Sequence, residues 1–337
     1  MHVDIILNEF ASVAEAAELS VLAESYGARA VWSSSYGSDR SPFLVLARAA
    51  AVTKHVRLGP LAVSPMEMHP LLMCNTLLTL NEMCGGRATI TVGGGGGVLQ
   101  TMGLTRTRVA KSVTDCLEIL RAALSGDVVN YPGEIYKVVA YHPGRWATDT
   151  PPEIYVGAER PRNIFTATRL ADGIMRSDLT PDMMRETIAH IEAGLATHGR
   201  TGKPFGISNF WAWHIKKDKA EAEYEARREL ILRGLLQTHH TEVHLSQADS
   251  DLVQEKKGAF WKAYFTRSGK IEGIPEAIVT TLIDKMSSTG DLNDLEREIE
   301  RMREFKAAGL TEIALRVHDD PVASIKLIGE HVIPAVQ

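Results

Sequence analysis

Short β-branched runs alternate with longer stretches of helical periodicity along the whole chain. A strand at 5–7 opens the series, and Ser12 then starts an Ala- and Leu-rich helix that ends at Gly27. Ser12 and Glu15 fit a capping box, in which each side chain satisfies an amide that the first helical turn leaves without a carbonyl. Gly27 suits the left-handed position just past a helix end. The same rhythm predicts strands at 30–33, 56–63 and 87–92, with helices at 42–53, 70–83 and 109–124. A hairpin is predicted at 128–136, with Pro132-Gly133 at its turn. Further strands follow at 153–156, 173–175, 205–215 and 312–317, and a last helix runs over 321–331.

Eight strand-then-helix units call for a parallel sheet, because parallel neighbours need a crossover connection. An open doubly wound sheet shares that pattern. No Gly-x-Gly-x-x-Gly follows the first strand, however, so the α/β class narrows to a closed (β/α)8 TIM barrel with insertions. No Pro/Gly/Ser-rich linker divides the chain, and 1–337 reads as one domain. The stretch 237–273, after the seventh strand and its helix, reads as an inserted helix and loop that covers the barrel mouth.

Composition narrows the function. A hydrophobic share of 45% and a charged share of 23% in 337 residues are those of a soluble globular protein. A net charge of -5 argues against a nucleic-acid surface, and no apolar run is long enough to span a membrane. Cys74, Cys84 and Cys116 are odd in number and lack metal-ligand spacing, so they read as free buried thiols. With no basic leader before the first strand, the expectation is a cytoplasmic protein that acts on a small molecule and holds no metal.

In such a barrel, chemistry gathers in the loops at the C-terminal ends of the strands. The stretch from Gly59-Pro60 through Leu61, Ala62, Val63 and Ser64 to His69-Pro70 carries three prolines, which stiffen a wall suited to a flat ring; a rigid loop without a ligand is the alternative. The run Gly93-Gly94-Gly95-Gly96-Gly97 begins at a strand end and lets a ligand approach the backbone closely; a flexible loop is the alternative. Gly157-Ala158-Glu159-Arg160-Pro161-Arg162 leads into a helix, where amides and the guanidinium groups of Arg160 and Arg162 attract phosphate. Two ordinary surface arginines are the alternative. On the seventh strand, Trp211 and Trp213 share one face and His214 takes the other, which favours a core or rim histidine. His239, His240 and His244 read as solvated residues of the insertion.

In order and spacing these segments resemble the bacterial-luciferase-like superfamily, and within it the methylenetetrahydromethanopterin reductase branch. The resemblance rests on Gly59–Pro70, on Leu80-Asn81-Glu82-Met83-Cys84-Gly85-Gly86-Arg87, on Ile154–Ala158 with Arg160-Pro161-Arg162, on Leu170-Ala171-Asp172-Gly173 and on the tail Leu327–Pro334. It implies coenzyme F420 (a deazaflavin) or FMN across the barrel mouth, a non-prolyl cis peptide near Leu61-Ala62, a cofactor tail along Gly157–Arg162, and a homodimer or higher homo-oligomer. It fails for the catalytic acids. Ile6 stands where the branch carries an acid, Ser34-Ser35 replaces an Asp-His or similar pair, and glycine near Gly95 replaces a loop acid. Glu9 is then the nearest candidate acid/base, with Ser34 able to orient or relay; a solvated loop glutamate is the alternative. Strand alternation places Glu9 on the face shared by Ile5 and Leu7.

The leading expectation is an oxidoreductase that transfers a hydride between F420 and a small organic substrate. The alternatives are an FMN-dependent luciferase-like monooxygenase and a non-catalytic flavin-binding relative.

Overall fold

The computed structural model describes residues 1–34, 40–96, 99, 101–143 and 149–337. Eight parallel strands close into a barrel: β1 (His2–Leu7), β2 (Ala30–Ser34), β3 (Arg57–Val63), β4 (Thr89–Val92), β7 (Glu153–Gly157), β8 (Gly173–Ser177), β9 (Gly206–Ile215) and β11 (Glu312–Arg316). Each pairs with the next around the ring, and β9 meets both β8 and β11. These are the eight strands the periodicity predicts, with ends displaced by a few residues. The chain is a (β/α)8 barrel.

Local sequence explains the outer layer. Ser12 and Glu15 form the capping box, at 3.2 and 2.8 Å, and Gly27 takes φ 83° beyond the helix end. Helices starting at Pro42, Pro70, Pro161, Pro181 and Pro321 place proline at the first helical position, where no intrahelical amide bond is lost. Ile5, Leu7, Val31, Trp211 and Trp213 turn outward into a large core shared with those helices.

The other face fills the barrel. Ile6, Ala30, Trp32, Tyr155, Met175, Phe210 and Ala314 form an inner cluster, with the Trp32 and Tyr155 rings edge to face at 5.9 Å. Two rings this large fit only because their neighbours are glycine. A Cβ on Gly59 would sit 2.5 Å from a Trp32 ring carbon, and one on Gly206 would overlap the Tyr155 phenol. Beneath them a matched charge network closes the barrel floor: Arg29 binds Asp4 at 2.9 and 2.5 Å, Trp32 Nε1 donates to Asp4 at 2.9 Å, and Glu153 pairs with Arg57 at 3.0 Å.

Three features depart from the expected pattern. The hairpin arms are β5 (Val129–Pro132) and β6 (Lys137–Tyr141), later than 128–136, because the Asp115 carboxylate takes the Ile135 and Tyr136 amides into the turn. A short strand, β10 (Ser287–Gly290), pairs with the end of β9; its sequence, Ser-Ser-Thr-Gly, has no apolar alternation to announce it. The last helix regularises only to Leu327 and widens into a π-turn over Ile328–Val332, where Gly329 packs on the Tyr26 ring. The stretch 237–273 is helix and loop, with helices at Thr238–Thr241, Gln247–Glu255 and Lys257–Phe265, and its Val253 and Phe260 belong to a second core shared with Leu236, Ile278, Leu282 and Met286.

The inner packing makes Gly173 a sensitive position. A Cβ there would press into the Tyr155 ring and stand 2.8 Å from the Gly206 carbonyl oxygen. Gly173→Ala should lower stability by about 1–3 kcal/mol, the usual cost of overpacking. A denaturant midpoint equal to that of the wild type would show that the ring can move aside.

Candidate active site

The mouth forms where the strands run out, and its two sides differ. On one side, β3, β4 and β7 end in small residues. A non-prolyl cis peptide joins Leu61 to Ala62, at the position the resemblance implies. A Cβ on Gly93 would stand 3.0 Å from the Ala62 Cβ, and one on Gly157 would find its nearest neighbours, Thr91, Val92 and Gly93 atoms, no closer than 3.7 Å. Ala62, Gly93 and Gly157 therefore lie side by side as a floor almost free of side chains, with Leu61 at its edge packed against the inner cluster.

The remaining residues expected at the cofactor divide between this floor and the surrounding shell. Val63 and Ala158 turn into the helix-facing core, so they can offer a ligand only backbone. Ser64 is buried, and its Oγ accepts the Met66 amide at 3.2 Å. Gly94 and Gly95 rise half-exposed from the end of β4, and Gly95 takes φ 74° directly above the Ser64 hydroxyl. Gly97 and Ser35 lie outside the described residues. Arg160 and Arg162 are exposed at the start of the helix Pro161–Leu170, with no ion pair among the described residues. Proline at its first position and an N-cap without a side-chain bond leave the first-turn amides open.

On the opposite side the mouth is charged. Glu9 and Ser34 line one small cavity with Asn8, Ser33 and Arg40. The Ser34 hydroxyl donates back to the Leu7 carbonyl at 3.5 Å. Glu9 lies in the turn beyond β1, so its direction is not set by the alternation that sends Ile5 and Leu7 outward. Its carboxylate reaches Arg316 at the end of β11 and accepts the Tyr264 hydroxyl at 2.7 Å. Burial alone would raise the Glu9 pKa, but Arg316 and Tyr264 outweigh it and hold the carboxyl below its ordinary range. Glu9 is therefore ionised at neutral pH. Tyr264 belongs to the inserted helix Lys257–Phe265, which Glu9 thus ties to the mouth. Arg267 adds a second tie, over the Phe10 ring at 4.8 Å and paired with Asp319 at 2.5 Å.

Three histidines have structural settings. His214 is buried, bonded to Glu225 at 2.8 Å and stacked on His318 at 4.3 Å. Burial lowers its pKa, so it stays neutral while Glu225, held at about 2 by His214 and Lys216 against the opposing effect of burial, stays ionised. His240 is buried, not solvated, because Gly234 lets its ring pack against the backbone.

Sequence reasoning passed over several residues. Glu67 stands three residues past Ser64, half-buried, and burial raises its pKa to about 7. No pattern announces that shift. Arg176 and Arg316 carry a visible signal, since each is a charge inside an otherwise apolar strand-end run, Ile174-Met175-Arg176 and Ala314-Leu315-Arg316.

Comparison with known proteins follows from this geometry. The family model described as luciferase-like monooxygenase matches residues 2–312. A 5,10-methylenetetrahydromethanopterin reductase of Archaeoglobus fulgidus is 29% identical over 322 residues, covering 94% of each chain. The coenzyme F420-dependent tetrahydromethanopterin reductase of Methanopyrus kandleri superposes with a TM-score of 0.81 at 22% identity, over 100% of this chain and 99% of that one. The oxygenating constituent of 3,6-diketocamphane monooxygenase from Pseudomonas putida, solved with FMN, superposes with a TM-score of 0.70 at 15% identity and the same coverage.

Proposed function

The chain belongs to the luciferase-like monooxygenase family and is an oxidoreductase, and from that premise we propose that it transfers a hydride between coenzyme F420 and a small organic substrate. The observation that carries this reading is the bare floor of Ala62, Gly93 and Gly157, edged by Leu61, leading to the exposed Arg160 and Arg162, which make no ion pair among the described residues. A surface without side chains suits an aromatic ring, and exposed arginines at the helix start that follows β7 suit a phosphate tail. Bound there, the deazaflavin supplies the hydride chemistry. The F420-dependent reductases among the relatives support it, while the FMN complex in a structural neighbour supports an FMN-dependent monooxygenase as the second reading.

The chain's own residues then have distinct tasks. Gly93 and Gly157 admit the ring close to the backbone. Arg160 and Arg162, with the open helix amides, hold the phosphate. Glu9, ionised and clasped by Arg316 and Tyr264, has no proton to donate; it orients the mouth and fixes the inserted segment 237–273 as a cover that excludes water. Ser34 can relay a proton beside it. Glu67 is the acid/base candidate: it is half-buried in the turn that follows β3, its amide bonded to the Ser64 carbonyl at 3.0 Å, and a carboxyl raised toward neutrality both gives and takes a proton.

Two measurements test this assignment. Replacing Arg160 and Arg162 together by Ala should weaken binding of F420 by about 1–3 kcal/mol, the range for hydrogen bonds to charged groups. Unchanged affinity in the folded double variant would remove them from the site. For Glu67 the folded pKa of about 7 lies above the ordinary 4.5, so its protonated form favours folding. That contribution is full below about pH 4.5 and is lost as pH rises through 7. Wild type should therefore lose stability relative to Glu67→Gln between these limits. A constant difference would show that Glu67 titrates as an ordinary surface acid.

A further inference from the structure

Above the inner cluster lies a group of buried polar side chains that the hydride reaction leaves unused. Arg233 is 1% exposed, and its guanidinium sits over the Phe210 ring at 5.0 Å, roofing the barrel interior. Its Nη1 lies 3.3 Å from Asp178 Oδ1, but Nε, Nη1 and Nη2 all lack a hydrogen-bond partner among the described residues. The Oδ1 atom of Asp178 also lacks one, while its Oδ2 accepts the Gly234 amide at 2.8 Å. Arg176, 6% exposed at the end of β8, donates Nη1 to the Ala158 carbonyl and leaves Nε without an acceptor. It makes no ion pair among the described residues, and burial lowers its pKa to about 10. The His240 ring, 1% exposed beside Gly234, has both nitrogens without partners.

Such a cluster is costly to leave dry. A buried polar group without a hydrogen bond costs about 1–3 kcal/mol, and a charged one more. Local preference does not explain it either. Gly234, Leu235 and Leu236 hold φ of 53°, 51° and 45°, a conformation costing about 1–2 kcal/mol for each leucine, so tertiary packing is what places Arg233 here. The charges leave a remainder: Arg233 has Asp178 at 3.3 Å, whereas Arg176 forms no ion pair among the described residues and feels only the more distant, exposed Glu159. The cluster thus has room for one negative charge and a surplus of N–H donors.

We propose that Arg176, Arg233 and His240 form the receptor for a carboxylate group carried by the substrate. The inference rests on the oxidoreductase reading above and deepens it by naming the substrate class, a small carboxylic acid. Arg176 holds the Ala158 carbonyl, whose loop leads to Arg160, so the anchored acid would lie beside the cofactor floor. One surplus positive charge favours a monoanion over a phosphate dianion, which would leave the receptor net negative.

The test uses the full chain, with sodium acetate as probe against sodium chloride at equal ionic strength and pH 7. Wild type should melt about 1–2 °C higher in acetate, the gain expected for a chain of this length from a ligand present at several times its Kd. R176Q should melt no lower than wild type in chloride, since it removes an uncompensated buried charge, and should lose the acetate gain; R176K should keep it. Non-specific salt effects act on all three proteins and cancel in the comparison. Equal melting in acetate and chloride, or an acetate gain retained by R176Q, overturns the proposal. So does an R176Q protein destabilised in chloride, which would make Arg176 structural. A larger phosphate gain that R176Q also abolishes overturns the choice of carboxylate. F420 and FMN titrations of wild type keep the two readings apart. Cofactor binding without an acetate response removes only this inference; an acetate response without cofactor binding removes only the cofactor assignment.

Discussion

A closed parallel barrel must fill its own axis, and here two aromatic rings do so from below. Trp32 and Tyr155 occupy the interior because Gly59, Gly173 and Gly206 give up their side chains to make room. Everything above depends on that arrangement. With the lower half packed by rings and Met175, Phe210 and Ala314 closing over them, the strand ends on β3, β4 and β7 carry no filling duty. They can finish on Ala62, Gly93 and Gly157 and still border a stable core.

The two ends of the barrel treat buried charge differently, and the contrast separates structure from function. At the floor, Arg29 pairs with Asp4 and Glu153, and Arg57 with Glu153, as a permanent seal requires. At the mouth Glu9 and Arg316 are matched in the same way, and Tyr264 adds the insertion to that pair. Beside them Arg176 is not matched. Arg176 and Arg233 thus differ from Arg29, whose guanidinium is spent on Asp4 and Glu153.

The architecture was legible because its signals are local or periodic. The apolar runs gave all eight barrel strands, Ser12, Glu15 and Gly27 marked one helix by capping chemistry, and the glycine run gave the edge of the floor. The face of each strand was legible too: Trp211 and Trp213 pack outward against the helical layer, with Trp211 on Phe305, while His214 turns away from them. What could not be read depends on distant partners. Glu9 looks like a free loop acid until Arg316 and Tyr264, some three hundred and two hundred and fifty positions later, fix its charge. Glu67 looks ordinary until burial moves its pKa. His240 reads as a surface residue because the glycine that admits its ring lies six positions earlier, in a backbone turn that no periodicity announces.

The central claim is that the bare side of the mouth is a cradle for a phosphate-bearing redox ring. It is tested most directly by titrating the cofactor-free chain with F420 and, separately, with FMN, following absorbance and intrinsic fluorescence. The account predicts saturable one-to-one binding of F420, with a change in tryptophan emission as the ring closes over the mouth. Failure of both compounds to saturate the folded protein would contradict it.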